Sequence, residues 1–196
     1  MPTRMLIVFN PAAGARRRRR LLAALDLMRG VGLRPEVADT THRGHAAALA
    51  RDAAIAGVPV VVAAGGDGTI AEVADGLAGS DTALGVLPLG TANVLALELG
   101  IPRAPAQAAG VLAMGRTALL HPGVARRAGE RDLLFVQMLG AGFDAAVVHN
   151  LSTSLKRAIG KGAYVWQTLR EMPRYGFPPI RAVIDGRVED AASVIV

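Results

Sequence analysis

Short apolar runs alternate with helical patterns over the N-terminal half of the chain. The apolar runs have the length of buried strands and end at polar or glycine-containing turns, which predicts strands at Met5–Phe9, Arg34–Ala38, Pro59–Ala64 and Ala83–Leu87. Helical patterns follow them, at Ala15–Met28, His45–Ala56, Ile70–Leu77, Asn93–Leu99 and Pro105–Ala113. Strands that alternate with helices favour a parallel sheet between two helical layers, so we predict a three-layer α/β domain over residues 1–116.

After Thr117 the pattern changes to strand-like runs joined by turns such as Asp185-Gly186. These runs are Thr117–His121, Arg131–Leu139, Arg181–Asp185 and Ala192–Val196, and a helical stretch, Leu155–Glu171, interrupts them. The pattern predicts an antiparallel β domain over residues 117–196. Because the last run, Ser193–Val196, has neither a cap nor a polar tail, we expect the chain to stop inside this second domain.

Composition excludes several classes of protein. With 52% hydrophobic and 19% charged residues the chain is not intrinsically disordered. It contains no cysteine, which excludes disulfides, thiolate metal sites and a cysteine nucleophile and fits a reducing cytoplasm. No apolar segment reaches the roughly 18–20 residues that a membrane span needs. We therefore expect a cytoplasmic protein, soluble or peripherally attached at the inner membrane surface.

The net charge of +6 favours a polyanionic partner such as a nucleotide phosphate or an anionic lipid, although a genomic bias toward arginine explains it equally well. Nucleic acid is not expected, because aromatic residues are few and no recognition motif is present. The run Arg16–Arg20 is spread around a helix axis, so its members cannot all face one ligand. We expect Arg16 to approach a phosphate and most of the run to be solvated.

Three polar loops follow predicted strands: Asn10–Gly14, Gly65–Thr69 and Leu89–Asn93. The carboxyl ends of parallel strands meet at one sheet edge, where ligands bind. Each loop leads into a helix, whose N-terminal N–H groups suit phosphate, and glycine lets the backbone approach an anion closely. Any strand-to-helix turn can use glycine, but three such loops at one edge favour phosphate binding. The glycine motifs of the Rossmann dinucleotide fold and of the Walker P-loop are both absent.

In their order and spacing these segments resemble the diacylglycerol kinase catalytic-domain superfamily, which includes bacterial lipid kinases and is related to sphingosine kinases and NAD kinases. Asn10–Gly14 resembles the family's opening Asn-Pro-x-x-Gly motif, and Thr40 resembles its threonine at the end of the second strand. Gly65–Val73 resembles the family's nucleotide signature, and Leu87–Asn93 resembles its third sequence block. Gly140–Ala145 resembles the block that opens its second domain. It implies an NAD kinase- or phosphofructokinase-like α/β domain followed by the start of a β-sandwich.

The resemblance implies transfer of phosphate from ATP, with Mg²⁺, to the hydroxyl of a diacylglycerol-like or sphingoid lipid. Asp67 and Glu72 would be catalytic, and Asp67 would also hold the metal. The nucleotide would be bound by Asn10, Gly14, Arg16, Thr40, Gly65, Gly66, Asp67, Gly68, Thr69, Ile70, Ala71, Thr91 and Asn93. Among these, the backbone N–H groups of Gly66, Gly68 and Thr69 would face phosphate oxygens.

This sequence departs from the family pattern in two respects. Ala71 stands where the family usually has asparagine, which removes one side-chain hydrogen bond. Metal ligands and a base aspartate that bacterial members carry later in the sandwich would lie beyond Val196, so we expect this chain alone to lack part of the catalytic set. Two alternatives therefore stay open, a non-catalytic nucleotide-binding module and a kinase of a soluble acceptor such as NAD.

The remaining candidate residues carry weaker signals. The four histidines, at positions 42, 45, 121 and 149, lack metal-ligand spacing, and no Ser-His-Asp pattern favours hydrolysis. Asp144 could approach the cleft or serve as a helix N-cap, and we favour a structural role with some contact to lipid. On the predicted helix Leu155–Glu171, the aromatic residues Tyr164 and Trp166 could pack in the core or touch lipid. The basic residues Lys156, Arg157 and Lys161 of the same helix could meet an anionic membrane. The family resemblance also makes a homodimer plausible.

Overall fold

The computed structural model describes residues 4–11, 15–126, 129, 132–151 and 162–196. These residues form two compact units, Met1–Gln137 and Met138–Val196. The first unit is built on a parallel sheet of four strands in the order β2-β1-β3-β4, where the strands are β1 (Met5–Phe9), β2 (Glu36–Asp39), β3 (Val60–Gly65) and β4 (Ala83–Pro88). The predicted parallel α/β architecture is confirmed.

Helices cover both faces of this sheet. They are α1 (Ala15–Gly30), α2 (His45–Ile55), α3 (Asp67–Gly76), α4 (Val94–Glu98) and α5 (Pro105–Ala113). Successive strand residues point to opposite faces, so Ile7 and Phe9 pack in the cluster beneath α1 and α5, while Val8 packs in the cluster beneath α2 and α3. Because both of their faces are covered, β1, β3 and β4 are apolar throughout rather than alternating, which is why their sequence pattern is clear, whereas the edge strand β2 is mostly exposed.

The strand order reverses between β1 and β3. The chain runs outward from β1 to β2 at one sheet edge, then crosses back to β3 and continues to β4 on the other side. In sheets of this type, ligands bind in the crevice outside the carboxyl ends of the strands at this reversal. The segments that flank the crevice begin at Asn10, after β1, and at Gly66, after β3.

Up to residue 121, most elements lie within two residues of their predicted bounds, and two differences are larger. Helix α3 begins at Asp67 rather than Ile70, because the carbonyl of Gly66 accepts the N–H groups of Thr69 and Ile70 and so brings the predicted loop into the first helical turn. The prediction of a strand at Thr117–His121 is wrong, since none of that segment pairs with another strand.

A short hairpin, β5 (Gly123–Ala125) and β6 (Leu133–Phe135), takes the place of that strand. The ring of Phe135 lies over Gly123, where a side chain would collide with it, so the pair is fixed by one aromatic ring on one glycine. Val136, just after β6, packs on the cluster beneath α3. The first unit therefore extends past the predicted domain boundary after residue 116.

The second unit carries antiparallel strands, as predicted. Strand β7 (Gly140–Gly142) pairs with β10 (Ser193–Ile195), and β8 (Ile180–Ile184) pairs with β9 (Arg187–Ala191). The β8–β9 turn is Asp185-Gly186, both with positive φ of 50° and 79°, as expected of a two-residue hairpin turn.

Two helices accompany these strands, α6 (Phe143–His149) and α7 (Gly162–Glu171). Helix α7 confirms the C-terminal part of the predicted helix, whereas residues 155–161, with Lys156, Arg157 and Lys161, lie outside the described residues. In the described part of the chain, no helix has both the length and the apolar character that crossing a membrane requires.

Close contact between α2 and α3 generates a stability prediction. A Cβ on Gly76 would lie 2.8 Å from the Cβ of Ala50 and closer still to the carbonyl oxygen of Ala47, which is backbone and cannot rotate away. We expect Gly76→Ala to lower the free energy of unfolding by about 2–3 kcal/mol, measured by urea denaturation.

Gly110 provides the matched control, because it is also helical and a Cβ there would meet nothing within 4 Å. Gly110→Ala should raise stability by about 0.4–1 kcal/mol, since alanine loses less backbone entropy on folding. Equal effects of the two substitutions would contradict the described packing of α2 on α3.

Candidate functional site

The segments after β3 and β4 meet backbone to backbone. A Cβ on Gly90 would lie 2.5 Å from the Cα of Gly66, so position 90 has no room for a side chain. The carbonyl oxygen of Gly65 accepts two N–H groups from the opposite segment, from Leu89 at 2.9 Å and from Gly90 at 2.8 Å. Two of the three predicted loops therefore form a single surface.

Asn93 holds the second of these loops from inside. It is fully buried and left-handed, with a φ of 54° that asparagine adopts more readily than most residues. Its Oδ1 accepts the N–H of Gly90 at 3.0 Å, and its Nδ2 donates to the carbonyl of the same residue at 2.9 Å. The Asn93 side chain, predicted to bind nucleotide, is thus occupied in shaping the loop.

Asp67 connects α3 to the start of α4. Its Oδ1 accepts the N–H of Val94 at 2.6 Å, and its Oδ2 accepts the N–H of Asn93 at 3.1 Å. An ionised carboxylate offers about four acceptor positions, so two remain for other donors or a cation. Behind it, Gln137 donates from Nε2 to the carbonyl of Asp67 at 3.4 Å. Nothing in the sequence pattern singles out Gln137.

The first turn of α3 faces the crevice with one open position. Thr69 is buried, its hydroxyl accepts a hydrogen bond from Nδ2 of Asn10 at 3.3 Å, and its N–H donates to the carbonyl of Gly66. The Thr69 N–H, expected to face phosphate, is therefore occupied within the helix. Gly68 is exposed, a Cβ on it would meet nothing within 4 Å, and its N–H has no acceptor among the described residues.

The other predicted residues of this segment lie deeper. Ile70 is fully buried in the core, and Ala71 is half-buried on α3. Glu72 points to the neighbouring helix, where its Oε2 accepts the N–H of Ala46 at 3.2 Å. Glu72, predicted to be catalytic, thus makes a contact that caps the start of α2.

The strand-end threonine and the two histidines beside it form the outer rim of the edge. Thr40 is half-buried and donates its N–H to the carbonyl of Phe9 at 2.8 Å. The His42 and His45 rings stack at 4.9 Å, and Nδ1 of each lies within hydrogen-bond distance of the Thr41 hydroxyl. The described residues contain no group of three histidine, aspartate or glutamate side chains arranged to hold a metal ion.

The arginines at the start of α1 differ in their exposure and contacts. Arg16 is exposed and makes no hydrogen bond or ion pair within the described part of the chain, and Gly14 lies outside the described residues. Arg18 pairs with Asp39 at 2.9 Å. Burial, assisted by the charge of Arg20, lowers the pKa of Arg17. Solvation, expected for most of the run, fits Arg16, Arg18 and Arg19, which are exposed, whereas Arg17 and Arg20 are half-buried.

Arg20 and Arg103 bind the backbone that follows β4. Nη2 of Arg20 donates to the carbonyls of Pro88 at 3.0 Å and Arg103 at 2.7 Å, and its Nη1 donates to Leu89 at 3.4 Å. Nη2 of Arg103 donates to the carbonyl of Thr91 at 2.6 Å. Burial and the nearby charge of Arg103 lower the pKa of Arg20. Sequence reasoning missed the contacts of Arg20, because nothing in a run of arginines marks which one turns inward. It missed those of Arg103 because that residue lies in a connection without any motif.

In the second unit, Asp144 accepts a hydrogen bond from the hydroxyl of Tyr164. This bond, together with burial and the charge of the carboxylate, raises the pKa of Tyr164 to about 12. Asp144 is the second residue of α6, whose N-cap is Gly142, so the N-cap role considered for Asp144 is wrong.

Comparison with known proteins identifies the family. Residues 4–124 match the diacylglycerol kinase catalytic domain. The chain belongs to the diacylglycerol kinase catalytic domain family. The resemblance noted from the sequence motifs is confirmed, and the matched region contains every loop of the sheet edge described above.

Individual relatives extend this comparison. A Pseudomonas putida protein named "Probable lipid kinase YegS-like" is 38% identical over 149 residues, covering 75% of this chain and 48% of the relative. A Bacillus subtilis "Diacylglycerol kinase" is 31% identical over 191 residues, covering 94% of this chain and 61% of the relative. The chain thus spans about half to three-fifths of the length of these curated relatives.

The fold comparison agrees with the sequence comparison. A crystal structure of a diacylglycerol kinase from Bacillus anthracis has a TM-score of 0.66 to this chain at 23% identity, covering 98% of this chain and 63% of that one. The fold of the diacylglycerol kinase family therefore extends over both units of the chain.

The buried asparagine of this diacylglycerol kinase-family domain generates a testable prediction. Asn93→Ala removes two hydrogen bonds from Gly90 and places alanine at positive φ, so we expect the free energy of unfolding to fall by about 3 kcal/mol. Asn93→Gly loses the same hydrogen bonds without the backbone strain and should recover about 1 kcal/mol of that loss. Urea denaturation followed by circular dichroism measures both. Two variants as stable as the wild type would refute the internal role of Asn93.

Proposed function

We propose that this chain binds ATP at the carboxyl edge of its parallel sheet and takes part in transferring the γ-phosphate to the hydroxyl of a lipid. The observation that carries the proposal is the open first turn of α3, at Gly68, beside the crevice between β1 and β3. Membership of the diacylglycerol kinase catalytic domain family supports the reaction class. The names of the bacterial relatives, a lipid kinase and a diacylglycerol kinase, support a lipid acceptor.

The residues at the edge fit a phosphate. Helix α3 has ten residues, and its N-terminus presents a partial positive charge and an N–H of Gly68 that no protein group accepts among the described residues. Open space of at least 4 Å surrounds the position of a Cβ on Gly68, so an anion can approach the backbone there. Asn10 and Thr40, at the ends of β1 and β2, would line the same edge on the side of the nucleoside.

The residues also fit a magnesium ion that is held mainly by the nucleotide. Mg²⁺ usually takes one or two carboxylates, and phosphates and waters complete its shell. Asp67 is half-buried at the start of α3 and keeps acceptor positions beyond its two backbone hydrogen bonds. Asp67 would therefore hold the ion, directly or through water. When bound, the ion neutralises charge that develops on the phosphates.

Phosphoryl transfer depends on positioning and charge stabilisation more than on covalent catalysis. On this proposal the α3 N-terminus stabilises phosphate charge, and Asp67 fixes both the cation and the start of α4. Glu72 acts indirectly, because its carboxylate accepts the N–H of Ala46 and so holds the start of α2. We infer that Glu72 positions the Thr40–His45 segment rather than contacting the transferred group.

An outward apolar surface on α7 supports the lipid acceptor. Val165, Trp166 and Leu169 are 60%, 57% and 62% exposed, although exposed helix positions are usually polar. Such a surface suits acyl chains or the interface of an anionic membrane, so we propose that the protein acts while peripherally attached to the inner membrane surface. A homodimer stays a proposal that rests on the family resemblance.

Gly68 allows nucleotide binding to be tested without disturbing the fold. Gly68→Asp places a negative charge where phosphate would lie, so we expect the Kd for ATP to rise at least about tenfold, with or without magnesium. Gly68→Asn has nearly the same volume without the charge and should change the Kd less than about threefold. Calorimetry measures both, and circular dichroism checks that they are folded. Equal Kd values for the two variants would contradict phosphate binding at this turn.

Radiolabelled ATP tests the acceptor in a protein extended to the full length of the curated relatives, of which this chain spans about half to three-fifths. We expect label to appear in diacylglycerol or a sphingoid base presented in mixed micelles, and the Gly68→Asp variant to lose this transfer. Label in NAD instead would favour the soluble-acceptor alternative. Tight binding of ATP with no transfer to any acceptor would favour the nucleotide-binding module.

A further inference from the structure

The segment between β4 and α4 is held from one side by cationic side chains. Arg20 binds the carbonyls at its beginning, and Arg103 binds the carbonyl of Thr91 in its middle. Arg103 is itself anchored, because Arg20 also binds its backbone carbonyl. The two guanidinium groups thus act together on one short stretch of backbone.

The same segment is held from the other side by the candidate site. The N–H groups of Asn93 and Val94 both donate to the carboxylate of Asp67. Thr91 lies between the arginine contacts and these N–H groups, only two residues before Asn93. A movement of the Thr91 carbonyl would therefore displace the donors that orient Asp67.

Neither arginine owes its position to a carboxylate. Within the described residues, Arg20 and Arg103 bind carbonyl oxygens and form no ion pair. Hydrogen bonds from a charged donor are stronger than neutral ones, and Arg103 is exposed enough for its charge to be hydrated. Its bond to Thr91 can therefore hold the loop without being needed for folding.

We propose that Arg103 is a positioning residue for nucleotide binding, an inference that rests on the proposed function. By holding the Thr91 carbonyl, Arg103 keeps the Leu89–Val94 segment in the conformation that orients Asp67. Without Arg103 the segment would occupy this conformation for only part of the time. The apparent Kd for nucleotide then rises by the inverse of that fraction.

Arg103→Ala tests the proposal through two measurements. We expect calorimetry to give a Kd for Mg-ATP about five- to tenfold higher than that of the wild type, which corresponds to the loss of one charged hydrogen bond at a partly exposed site. Hydrogen exchange in the absence of nucleotide should become faster in peptides that cover residues 89–94. The urea midpoint of unfolding should change little, because the bond is exposed.

Two further variants make the test specific. Arg103→Lys keeps the charge and one donor but not the planar fork, so its Kd should lie between those of the wild type and Arg103→Ala. Arg116→Ala is the matched control, since Arg116 is exposed and has no hydrogen bond or ion pair in the described part of the chain. It should leave both the Kd and the exchange unchanged.

Three results would overturn the inference: an unchanged Kd, unchanged exchange at residues 89–94, or exchange that accelerates evenly over the first unit with a loss of global stability. The last would show that Arg103 only stabilises the fold. If the wild type itself does not bind Mg-ATP, the proposed function fails. In that case faster exchange at residues 89–94 in Arg103→Ala still supports the inference that Arg103 restrains this segment. Unchanged exchange at these residues refutes that inference.

Discussion

The backbone of the segment after β3 lies directly against the backbone of the segment after β4, and the rest of the candidate site depends on this contact. It exists because Gly90 has no side chain to push the two segments apart, and because the Gly65 carbonyl accepts two N–H groups from across the contact. Parallel strands bring their carboxyl ends to one edge, but only a contact of this kind turns separate loops into a continuous surface.

Carboxylates that a sequence motif presents as catalytic are also used to cap helices. Asp67 binds the N–H groups that open α4, and Glu72 binds an N–H that opens α2. Each interaction satisfies donors that would otherwise be unpaired and places negative charge at the positive end of a helix dipole. Helix α3 thereby fixes the starting points of both neighbouring helices relative to its own N-terminus.

The layers of the fold were predictable from sequence because buried parallel strands such as β1 and β3 are apolar on both faces and end at glycine or asparagine. The strand predicted at Thr117–His121 failed because pairing is a long-range property, decided here by the Phe135 ring on Gly123. The sequence periodicity also indicates the apolar positions of α7, but it does not indicate which side of the helix is buried against the protein. Its apolar residues Val165 and Leu169 face outward, while Gln167 is buried.

Sequence reasoning predicted which loops come together at the sheet edge, but not which atoms contact each other there. The motif includes Asp67 and Asn93, but the partners of Asp67 come from another segment, and those of Asn93 depend on backbone geometry that composition does not encode. The contacts of Arg20 were hidden within a run of like residues, and those of Arg103 lie in a connection without any motif. A side chain that binds backbone carbonyls leaves no complementary residue in the sequence, so no pattern of paired charges could reveal it.

The central claim is that the segments after β1, β3 and β4 act as one nucleotide-binding edge. Hydrogen exchange of the whole chain, measured by mass spectrometry with and without Mg-ATP, tests it most directly. The account predicts that Mg-ATP slows exchange together in peptides that cover Gly65–Ala71 and Leu89–Asn93, with smaller protection near Asn10 and Thr40. Protection confined to the second unit, or no protection at either glycine-containing segment under saturating nucleotide, would contradict it.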